Sequence, residues 1–353
     1  MTAAFTYEQL PQRVVFGAGR RRELAGEVDR LGGRVFLIAD GMAKATADDA
    51  ADALGERVVA QWSDVVQHVP VELAERAREA VTGSKADVLV CIGGGSSTGL
   101  AKAIALTQHL PIVAVPTTYA GSEQTTIYGL TGDRHKQTGK NPVVLPKVVI
   151  YDPELTLGLP TAVTGPSSFN ALAHSVEALY APGHNPVTSV LALEGVRAIH
   201  AALPRVMAHP DDLDARTELL YGAYLSGIAL GTTAAALHHK LSHVLGGTFN
   251  LVHADTHSVL LPHAVAFNAP VLPDEMARLA VALSAPDGDA AGALWDLAVA
   301  SHVPTSLADL GLGRDDLPEA AERAATEISD NPRPFDTGDL LALLQRAFDG
   351  RRP

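Results

Sequence analysis

The sequence predicts an α/β domain followed by an all-α domain. In the first half, short runs of branched apolar residues alternate with helical patterns, whereas after Pro160 the patterns are helical almost throughout and rich in Ala and Leu. The chain has 353 residues, which is long for one hydrophobic core and sufficient for two. We therefore expect residues 1–155 to form the α/β domain and residues 156–353 to form the helical domain.

Apolar runs that end at polar or glycine residues predict the strands. Residues 35–39 and 88–92 are uninterrupted apolar runs, which is typical of parallel strands buried on both faces of a sheet. Because helical patterns fill the intervals, we expect a Rossmann-like parallel sheet with helices on both faces. The predicted strands are residues 14–16, 35–39, 58–62, 88–92, 112–115 and 148–151, and the helices between them are residues 20–31, 46–54, 71–81 and 100–106.

The remaining segments complete the predicted fold. Residues 119–150 are polar and contain four glycines, which favours a loop or hairpin near a cleft between the two domains. The helical half then carries its own series of amphipathic patterns. The clearest of these predicted helices are residues 168–180, 186–202, 215–230, 234–245 and 256–267.

Composition argues against several classes of protein. The formal net charge of −13 argues against nucleic acid and anionic membranes as partners. No run approaches the roughly 18 apolar residues of a membrane helix, and the first residues do not resemble a signal peptide. The one cysteine, Cys91, lies in a predicted buried strand and cannot form an intrachain disulfide, so we expect a cytoplasmic protein.

A glycine-rich turn, GGGSSTG, follows the fourth predicted strand. Gly93, Gly94 and Gly95 allow a ligand to approach the backbone. Ser96 and Ser97 open the next helix, whose N-terminal N–H groups favour a phosphate. The turn differs from the GxGxxG fingerprint, so by itself it also fits a plain connection between strand and helix.

Two more strand ends carry polar side chains that belong with this turn. Asp40 ends an earlier strand, where a carboxylate accepts from both ribose hydroxyls of NAD and repels a 2′-phosphate. Thr117 and Thr118 follow the next strand. Because ligands of open α/β sheets bind at the carboxyl ends of the strands, we expect NADH here, in preference to NADPH. A helix cap is the alternative interpretation of Asp40.

Histidines are concentrated in the helical half. His239 and His243 are four residues apart, as are Asn170 and His174, so each pair shares a helix face, and His253 follows after a glycine pair. Three imidazoles suit iron or zinc, but the neutral amide of asparagine is a poor fourth ligand. We therefore expect no bound metal. We interpret the remaining nearby histidines as structural: His238, His257 and His263.

Five segments resemble the iron-containing alcohol dehydrogenase superfamily. They are GGGSSTGLAKAIAL, VPTTYAGSE, KVVIYDPELT, FNALAHSVEALYAP and HHKLSHVLGGTFNLVHADTHSVLLPH. The similarity spans about residues 10 to 350, and within the superfamily it is greatest to the maleylacetate reductases. The resemblance implies the dehydroquinate synthase-like fold of this superfamily and a homodimer.

The resemblance also implies roles for single positions. The metal-ligand aspartate of the superfamily falls on Asn170, its three histidine ligands fall on His174, His239 and His253, and a further active-site histidine falls on His243. Its dinucleotide contacts fall on Asp40, Gly93, Gly94, Gly95, Ser96, Ser97, Thr117, Thr118 and Ser122, and a lysine near the nicotinamide falls on Lys136.

The activity that the resemblance implies is reduction of maleylacetate to 3-oxoadipate in the degradation of aromatic compounds. For this small dicarboxylate we expect a positive patch formed by the histidines and Lys240, with His243 as the proton donor; a solvated helix position is the other interpretation of Lys240. Three alternatives stay open. They are a metal-dependent alcohol dehydrogenase with iron or zinc on His174, His239 and His253, a reductase of another unsaturated oxo-acid, and a nucleotide-binding protein without catalysis.

Overall fold

The computed structural model describes residues 4–67, 69–132 and 135–353, without the side chains of residues 135–137. The chain divides into two compact units, Gln9–Leu159, here the sheet unit, and Pro160–Pro353 with residues 4–8, here the helical unit. The division falls after Leu159 rather than after residue 155. Hydrogen bonds tie these last residues to the segment before them: Thr156 Oγ1 donates to Pro153 O at 2.8 Å, and Leu159 N donates to Thr156 O at 3.1 Å.

Six parallel strands form the main sheet of the sheet unit. With the two strands of a separate hairpin, the strands of this unit are β1 (Arg13–Phe16), β2 (Val35–Ala39), β3 (Val58–Trp62), β4 (Val88–Gly93), β5 (Ile112–Pro116), β6 (Ile127–Gly132), β7 (His135–Lys140) and β8 (Val148–Tyr151). The order in the main sheet is β1-β8-β5-β4-β2-β3, while β6 and β7 form a separate antiparallel hairpin. The predicted parallel sheet is confirmed, and the segment predicted as a loop or hairpin contains a hairpin.

Helices cover the sheet and bury its central strands. They are α1 (Leu24–Val28), α2 (Lys44–Leu54), α3 (Val71–Ser84) and α4 (Gly95–Gln108). Every residue of β2 and β4 is buried, as expected for strands with both faces covered. The first predicted helix is shorter than expected, because Arg20–Glu23 forms a tighter 3₁₀ turn before α1.

The helical unit has its own hydrophobic core. Its helices are α5 (Thr161–Glu177), α6 (Pro186–Ala208), α7 (Leu213–Thr232), α8 (Leu237–Phe249), α9 (His253–Asn268), α10 (Pro273–Ala282), α11 (Ala290–Ala300), α12 (Leu317–Glu327) and α13 (Thr337–Phe348). Helices α6 and α7 approach closely at Gly195 and Gly222, since a Cβ atom on either glycine would lie within 3.2 Å of the other's carbonyl oxygen. The predicted helical domain is confirmed.

Among the described residues, no single helix has the length and apolar character needed to cross a membrane. The pair α7 and α8, bent by 94° at the break between them, meets those two criteria only when taken together.

Candidate functional site

The glycine-rich turn joins β4 to α4 at the carboxyl end of the sheet. Gly93 has φ +141°, and a Cβ atom there would lie 2.4 Å from Ser97 Oγ and 2.8 Å from Asp40 Oδ2. A Cβ atom on Gly94 would lie 3.1 Å from Thr118 Cγ2. A side chain at Gly93 would therefore collide with the polar groups around the turn, and one at Gly94 would crowd the methyl group of Thr118, so glycine at both positions keeps the backbone open to a ligand.

Hydrogen bonds connect the neighbouring strand ends to this turn. Ser97 Oγ donates to Asp40 Oδ2 at 3.1 Å, and Thr117 N donates to Gly93 O at 3.0 Å. The other carboxylate oxygen of Asp40 accepts from the N–H groups of Met42 and Ala43, as a helix cap does. The structure thus brings Asp40, the glycine turn and the threonines after β5 together, and Asp40 caps a turn with one oxygen while the other faces the glycines.

The loop that carries Ser122 is held by Lys102, a residue that the sequence analysis did not single out. Lys102 lies on α4, and its Nζ donates to Ser122 O at 2.6 Å, to Thr125 O at 2.8 Å and to Ile127 O at 2.8 Å. Burial lowers the pKa of Lys102 to about 7, while Glu123 acts in the opposite direction. The predicted nicotinamide contact, the side chain of Lys136, lies outside the part of the chain that the structure describes.

Three helices of the helical unit supply a cluster of histidines. Helix α5 carries Asn170 and His174, α8 carries His239 and His243, and α9 carries His253. The rings of His174 and His239 are stacked with centroids 5.0 Å apart, and those of His243 and His253 are stacked at 5.7 Å. Helices α8 and α9 pack against each other, and α9 also packs against α5. The predicted histidines therefore lie in one cluster.

His257 lies at the centre of this cluster, although its sequence position suggested a structural residue. Its Nε2 atom is 3.1 Å from His253 Nε2, and its ring centroid is 4.7 Å from the rings of both His238 and His239. One ring nitrogen each of His238, His239 and His257 lies within 4.8 Å of the other two. The spacing of four residues between His253 and His257 was the signal that could have indicated this.

Burial keeps much of the cluster uncharged. Burial, with a smaller contribution from neighbouring imidazoles, lowers the pKa of His174 and of His257 well below 6.5. It also lowers the pKa of His238 to about 4. His238 Nε2 lies 3.0 Å from the carbonyl oxygen of His257 and must donate to it, so His238 Nδ1 carries a lone pair. These rings offer unprotonated nitrogens rather than positive charges.

Glu177 binds to this cluster and was also missed by the sequence analysis. Its Oε2 accepts from His239 Nδ1 at 2.5 Å, and its Oε1 accepts from the backbone N–H of His238 at 2.7 Å. Among the described residues of the helical unit it is the only buried acid, at 2% exposure. Burial alone would raise the pKa of Glu177, but His239 and the backbone N–H of Ala236 outweigh burial and lower it. The signal was its position three residues after His174.

Lys240 does not join the histidines. Its Nζ lies 3.3 Å from Glu327 O and 3.5 Å from Ser329 Oγ, at the carboxyl end of α12. Adjacent residues on a helix point in different directions, so a side chain next to His239 need not share its surroundings.

Asn170 is 9% exposed and lies one helical turn before His174 on α5.

Comparison with known proteins defines the class. The family model for iron-containing alcohol dehydrogenases matches residues 11–153, and the model for the C-terminal part of the Fe-containing alcohol dehydrogenase family matches residues 163–348. The chain belongs to the iron-containing alcohol dehydrogenase family and is an oxidoreductase.

Individual relatives show which members of this family the chain is similar to. The chain is 49% identical to the maleylacetate reductase of Burkholderia cepacia, over 99% of each chain. The crystal structure of maleylacetate reductase from Agrobacterium tumefaciens is 45% identical, with a TM-score of 0.95 over 99% of this chain and 100% of that one. The crystal structure of an iron-containing alcohol dehydrogenase from Corynebacterium glutamicum is 42% identical, with a TM-score of 0.94 over 99% of this chain and 98% of that one.

These matches correct one expectation. We expected no bound metal because Asn170 replaces a carboxylate, but membership of an iron-containing family implies bound iron, so that prediction was wrong. The imidazole donors fit such an ion. Neutral imidazole nitrogens bind divalent iron and zinc. The buried ring nitrogens with no hydrogen-bond partner among the described residues are His174 Nδ1, His238 Nδ1, His239 Nε2, His257 Nδ1 and His263 Nε2, and all but the last belong to the cluster.

Proposed function

We propose that the protein catalyses the NADH-dependent reduction of maleylacetate to 3-oxoadipate. The observation that carries the proposal is similarity over nearly the whole chain, at 44% to 49% identity, to several proteins named maleylacetate reductase. This similarity favours maleylacetate over a simple carbonyl substrate. The histidine cluster supports the proposal, because a conjugated oxo-acid needs groups that stabilise charge on its ketone oxygen.

The reaction requires one hydride and one proton. Bound NADH would supply the hydride, which adds to the alkene carbon remote from the ketone. The electron pair of the C=C bond then moves toward the ketone, and an enolate forms. A proton adds to the carbon next to the ketone, which yields 3-oxoadipate and NAD⁺. The protein must therefore stabilise an oxyanion and deliver a proton.

The helical unit supplies the groups for these two tasks. We assign the oxyanion to the site lined by His174, His239 and His253, where a ring N–H of His174 or His253, or the metal ion that all three would hold, would face the ketone oxygen, and we assign proton delivery to His243. The stacked arrangement of these rings supports the assignment, because it places several polar ring nitrogens in one small volume. Asn170 adds no negative charge, which favours binding of a dicarboxylate. Lys240 stays a weaker candidate, since its ammonium is directed to α12.

The same imidazoles could serve the metal ion that the family implies. His174, His239 and His253 would hold it, as the resemblance predicts. When bound, such an ion would act as a Lewis acid at the ketone oxygen. An imidazole binds a metal only through an unprotonated nitrogen, so metal binding here would depend on which ring nitrogen of each histidine carries the hydrogen.

The sheet unit supplies the cofactor contacts in this proposal. We assign the phosphates of NADH to Gly93, Gly94, Gly95, Ser96 and Ser97, the ribose to Asp40, and further contacts to Thr117, Thr118, Ser122 and Lys136. Support comes from the collision that a Cβ atom would meet at Gly93 and the tight contact that it would make at Gly94. A role in the degradation of aromatic compounds, a homodimer and a cytoplasmic location are further parts of the proposal that rest on the family resemblance and composition.

A spectrophotometric assay tests the proposal. NADH consumption is followed with freshly prepared maleylacetate and, in parallel, with a simple aldehyde or ketone, each with and without a metal chelator. We expect rapid NADH loss only with maleylacetate. No loss with maleylacetate, or faster loss with the simple carbonyl, would contradict the proposed activity.

A further inference from the structure

Glu177 occupies a position that is unfavourable for an ionised acid. It is the last residue of α5, at the negative end of that helix dipole, and its side chain is buried. A buried carboxylate is costly unless several donors satisfy it. Its retention as an ion therefore calls for donors that compensate for both the burial and the helix.

Four donors meet this carboxylate. Oε1 accepts from the backbone N–H of His238 at 2.7 Å and lies 3.4 Å from that of His239. Oε2 accepts from the N–H of Ala236 at 3.1 Å and from His239 Nδ1 at 2.5 Å. Three of the four are backbone groups at the start of α8, where N–H groups lack partners inside the helix. Each oxygen accepts from at least one backbone N–H group, and this set of donors favours the ionised acid.

This arrangement determines which ring nitrogen of His239 carries a proton. Because Glu177 accepts and cannot donate, His239 Nδ1 must carry the hydrogen. His239 Nε2 is then the other nitrogen of the ring, and it is buried with no hydrogen-bond partner in the part of the chain that the structure describes. One ring nitrogen of His239 lies within 4.8 Å of a ring nitrogen of His238 and of His257.

We propose that Glu177 is a positioning residue that fixes the Nδ1–H tautomer and the orientation of His239, so that Nε2 is the reactive edge of that ring in the histidine cluster. The role of His239 in catalysis rests on the proposed function; the tautomer does not. The same carboxylate accepts from the His239 ring and from the backbone of the first turn of α8. It therefore fixes the orientation of the ring relative to that helix. Hydrogen-bonded carboxylates behind histidine ligands act in this way in metal sites.

The tautomer can be measured directly, without substrate, cofactor or metal. Protein labelled with ¹⁵N in its histidine rings is compared with Glu177→Gln at about pH 8, well above the ordinary pKa of histidine. The His239 signals are assigned by their loss in His239→Gln. We expect a protonated Nδ1 and an unprotonated Nε2 in the wild type. In Glu177→Gln, whose NH₂ group can donate to His239 Nδ1, we expect part or all of the proton to move to Nε2.

Two further variants separate positioning from a general need for a buried acid. Glu177→Asp keeps the charge on a shorter side chain and is expected to retain the Nδ1–H tautomer. Glu123→Gln removes a buried acid of the sheet unit, which accepts from Tyr151 at 2.6 Å, and is expected to leave the His239 signals unchanged. Loss of stability in Glu177→Gln with an unchanged tautomer would show a merely structural role and overturn the proposal.

Kinetics supply the second readout. We expect kcat with maleylacetate to fall about 10- to 100-fold in Glu177→Gln, the usual effect of removing a hydrogen-bonded partner behind a ligand residue. The KM for NADH should stay unchanged, and Glu177→Asp should recover part of kcat. A wild-type tautomer and a wild-type kcat in Glu177→Gln would refute the proposal. Failure of the wild type to reduce maleylacetate would instead refute the proposed function, and the tautomer measurement would still stand.

Discussion

Asp40 combines two contacts that normally belong to different residues. One oxygen accepts from Met42 N at 2.9 Å and Ala43 N at 3.0 Å, while the other accepts from Ser97 Oγ at 3.1 Å beside the glycine turn. The charge repels a 2′-phosphate, but the cap needs only an oxygen acceptor. An asparagine at this position would keep the oxygen acceptor of the cap and remove the negative charge, so it separates the two contributions of Asp40.

Asp40→Asn tests the cofactor preference. Asparagine is a good helix cap, so the free energy of unfolding should change by less than about 1 kcal/mol. Removal of the negative charge should shift the ratio of kcat/KM for NADH over NADPH by about tenfold toward NADPH, equivalent to about 1.4 kcal/mol. Steady-state kinetics with both cofactors measure the ratio. An unchanged ratio would show that Asp40 serves only as a cap.

His263 provides a test of how burial affects a histidine outside the cluster. It lies on α9 against Trp295, with ring centroids 5.7 Å apart, and burial, together with Arg346, lowers its pKa from 6.5 to about 4. The unfolded chain therefore binds more protons than the folded one between about pH 4 and pH 6.5. The contribution to stability is complete above about pH 6.5 and is lost as the pH falls toward 4.

His263→Leu should reduce the acid sensitivity of the helical unit. Between about pH 7.5 and pH 5, the free energy of unfolding should fall by about 2 kcal/mol less in the variant than in the wild type. Urea unfolding followed by Trp295 fluorescence in a Trp62→Phe background measures this difference. The control is His209→Leu, at an exposed position, which should leave the fall unchanged. An equal fall in His263→Leu would mean that His263 is not the group responsible.

At the scale of elements, the glycine turn before α4 should be sensitive to a single methyl group. Gly93→Ala places a Cβ atom at φ +141° and within 2.8 Å of Asp40 and Ser97. We expect a loss of about 1–3 kcal/mol of stability from this backbone conformation and at least about a tenfold weaker affinity for NADH. Fluorescence titration with NADH and urea unfolding measure the two effects.

Gly83→Ala is the matched control for that substitution. Gly83 lies in the exposed part of α3, with nothing within 4 Å of an added Cβ atom. Alanine favours the helix there, so stability should rise by about 0.5–1 kcal/mol and NADH affinity should not change. If both alanine variants weakened NADH binding equally, the effect would not come from the turn.

Regular elements were predictable where local pattern and burial agree. The runs at residues 35–39 and 88–92 are apolar throughout because the sheet is covered on both faces, and both are strands. Helix α5 begins at Thr161, whereas the sequence predicted a start at residue 168. The prediction was late because Gly165 and Pro166 resemble a helix break. Gly165 is needed there for another reason, since a Cβ atom would lie 2.4 Å from Val303. Such packing between distant segments leaves no local signal.

At the scale of the whole molecule, the candidate site shows the same limit. Spacing of four residues correctly suggested that His239 and His243 share a helix face. It did not indicate that His257 would lie next to two histidines of α8, because that depends on how α8 and α9 pack. Glu177 was missed for the same reason, since its partner His239 is 62 residues away in sequence.

The two units should respond differently to NADH. Each has its own hydrophobic core, and each contains one of the two tryptophans, Trp62 in β3 and Trp295 in α11. A ligand that binds only the folded state stabilises it by RT ln(1 + [L]/Kd), or about 2.7 kcal/mol at a concentration of about 100 Kd. The proposed NADH contacts belong to the sheet unit, so this gain should appear first in the unfolding of that unit.

Single-tryptophan variants make the comparison possible. In Trp295→Phe, urea unfolding seen by Trp62 should shift to higher urea when NADH is added, by an amount equivalent to about 2–3 kcal/mol at about 100 Kd. In Trp62→Phe, the transition seen by Trp295 should shift less, because each core is expected to unfold as its own cooperative block. NADPH at the same concentration should give a smaller shift in both, since Asp40 repels its 2′-phosphate. A shift confined to Trp295 would place the cofactor contacts outside the sheet unit.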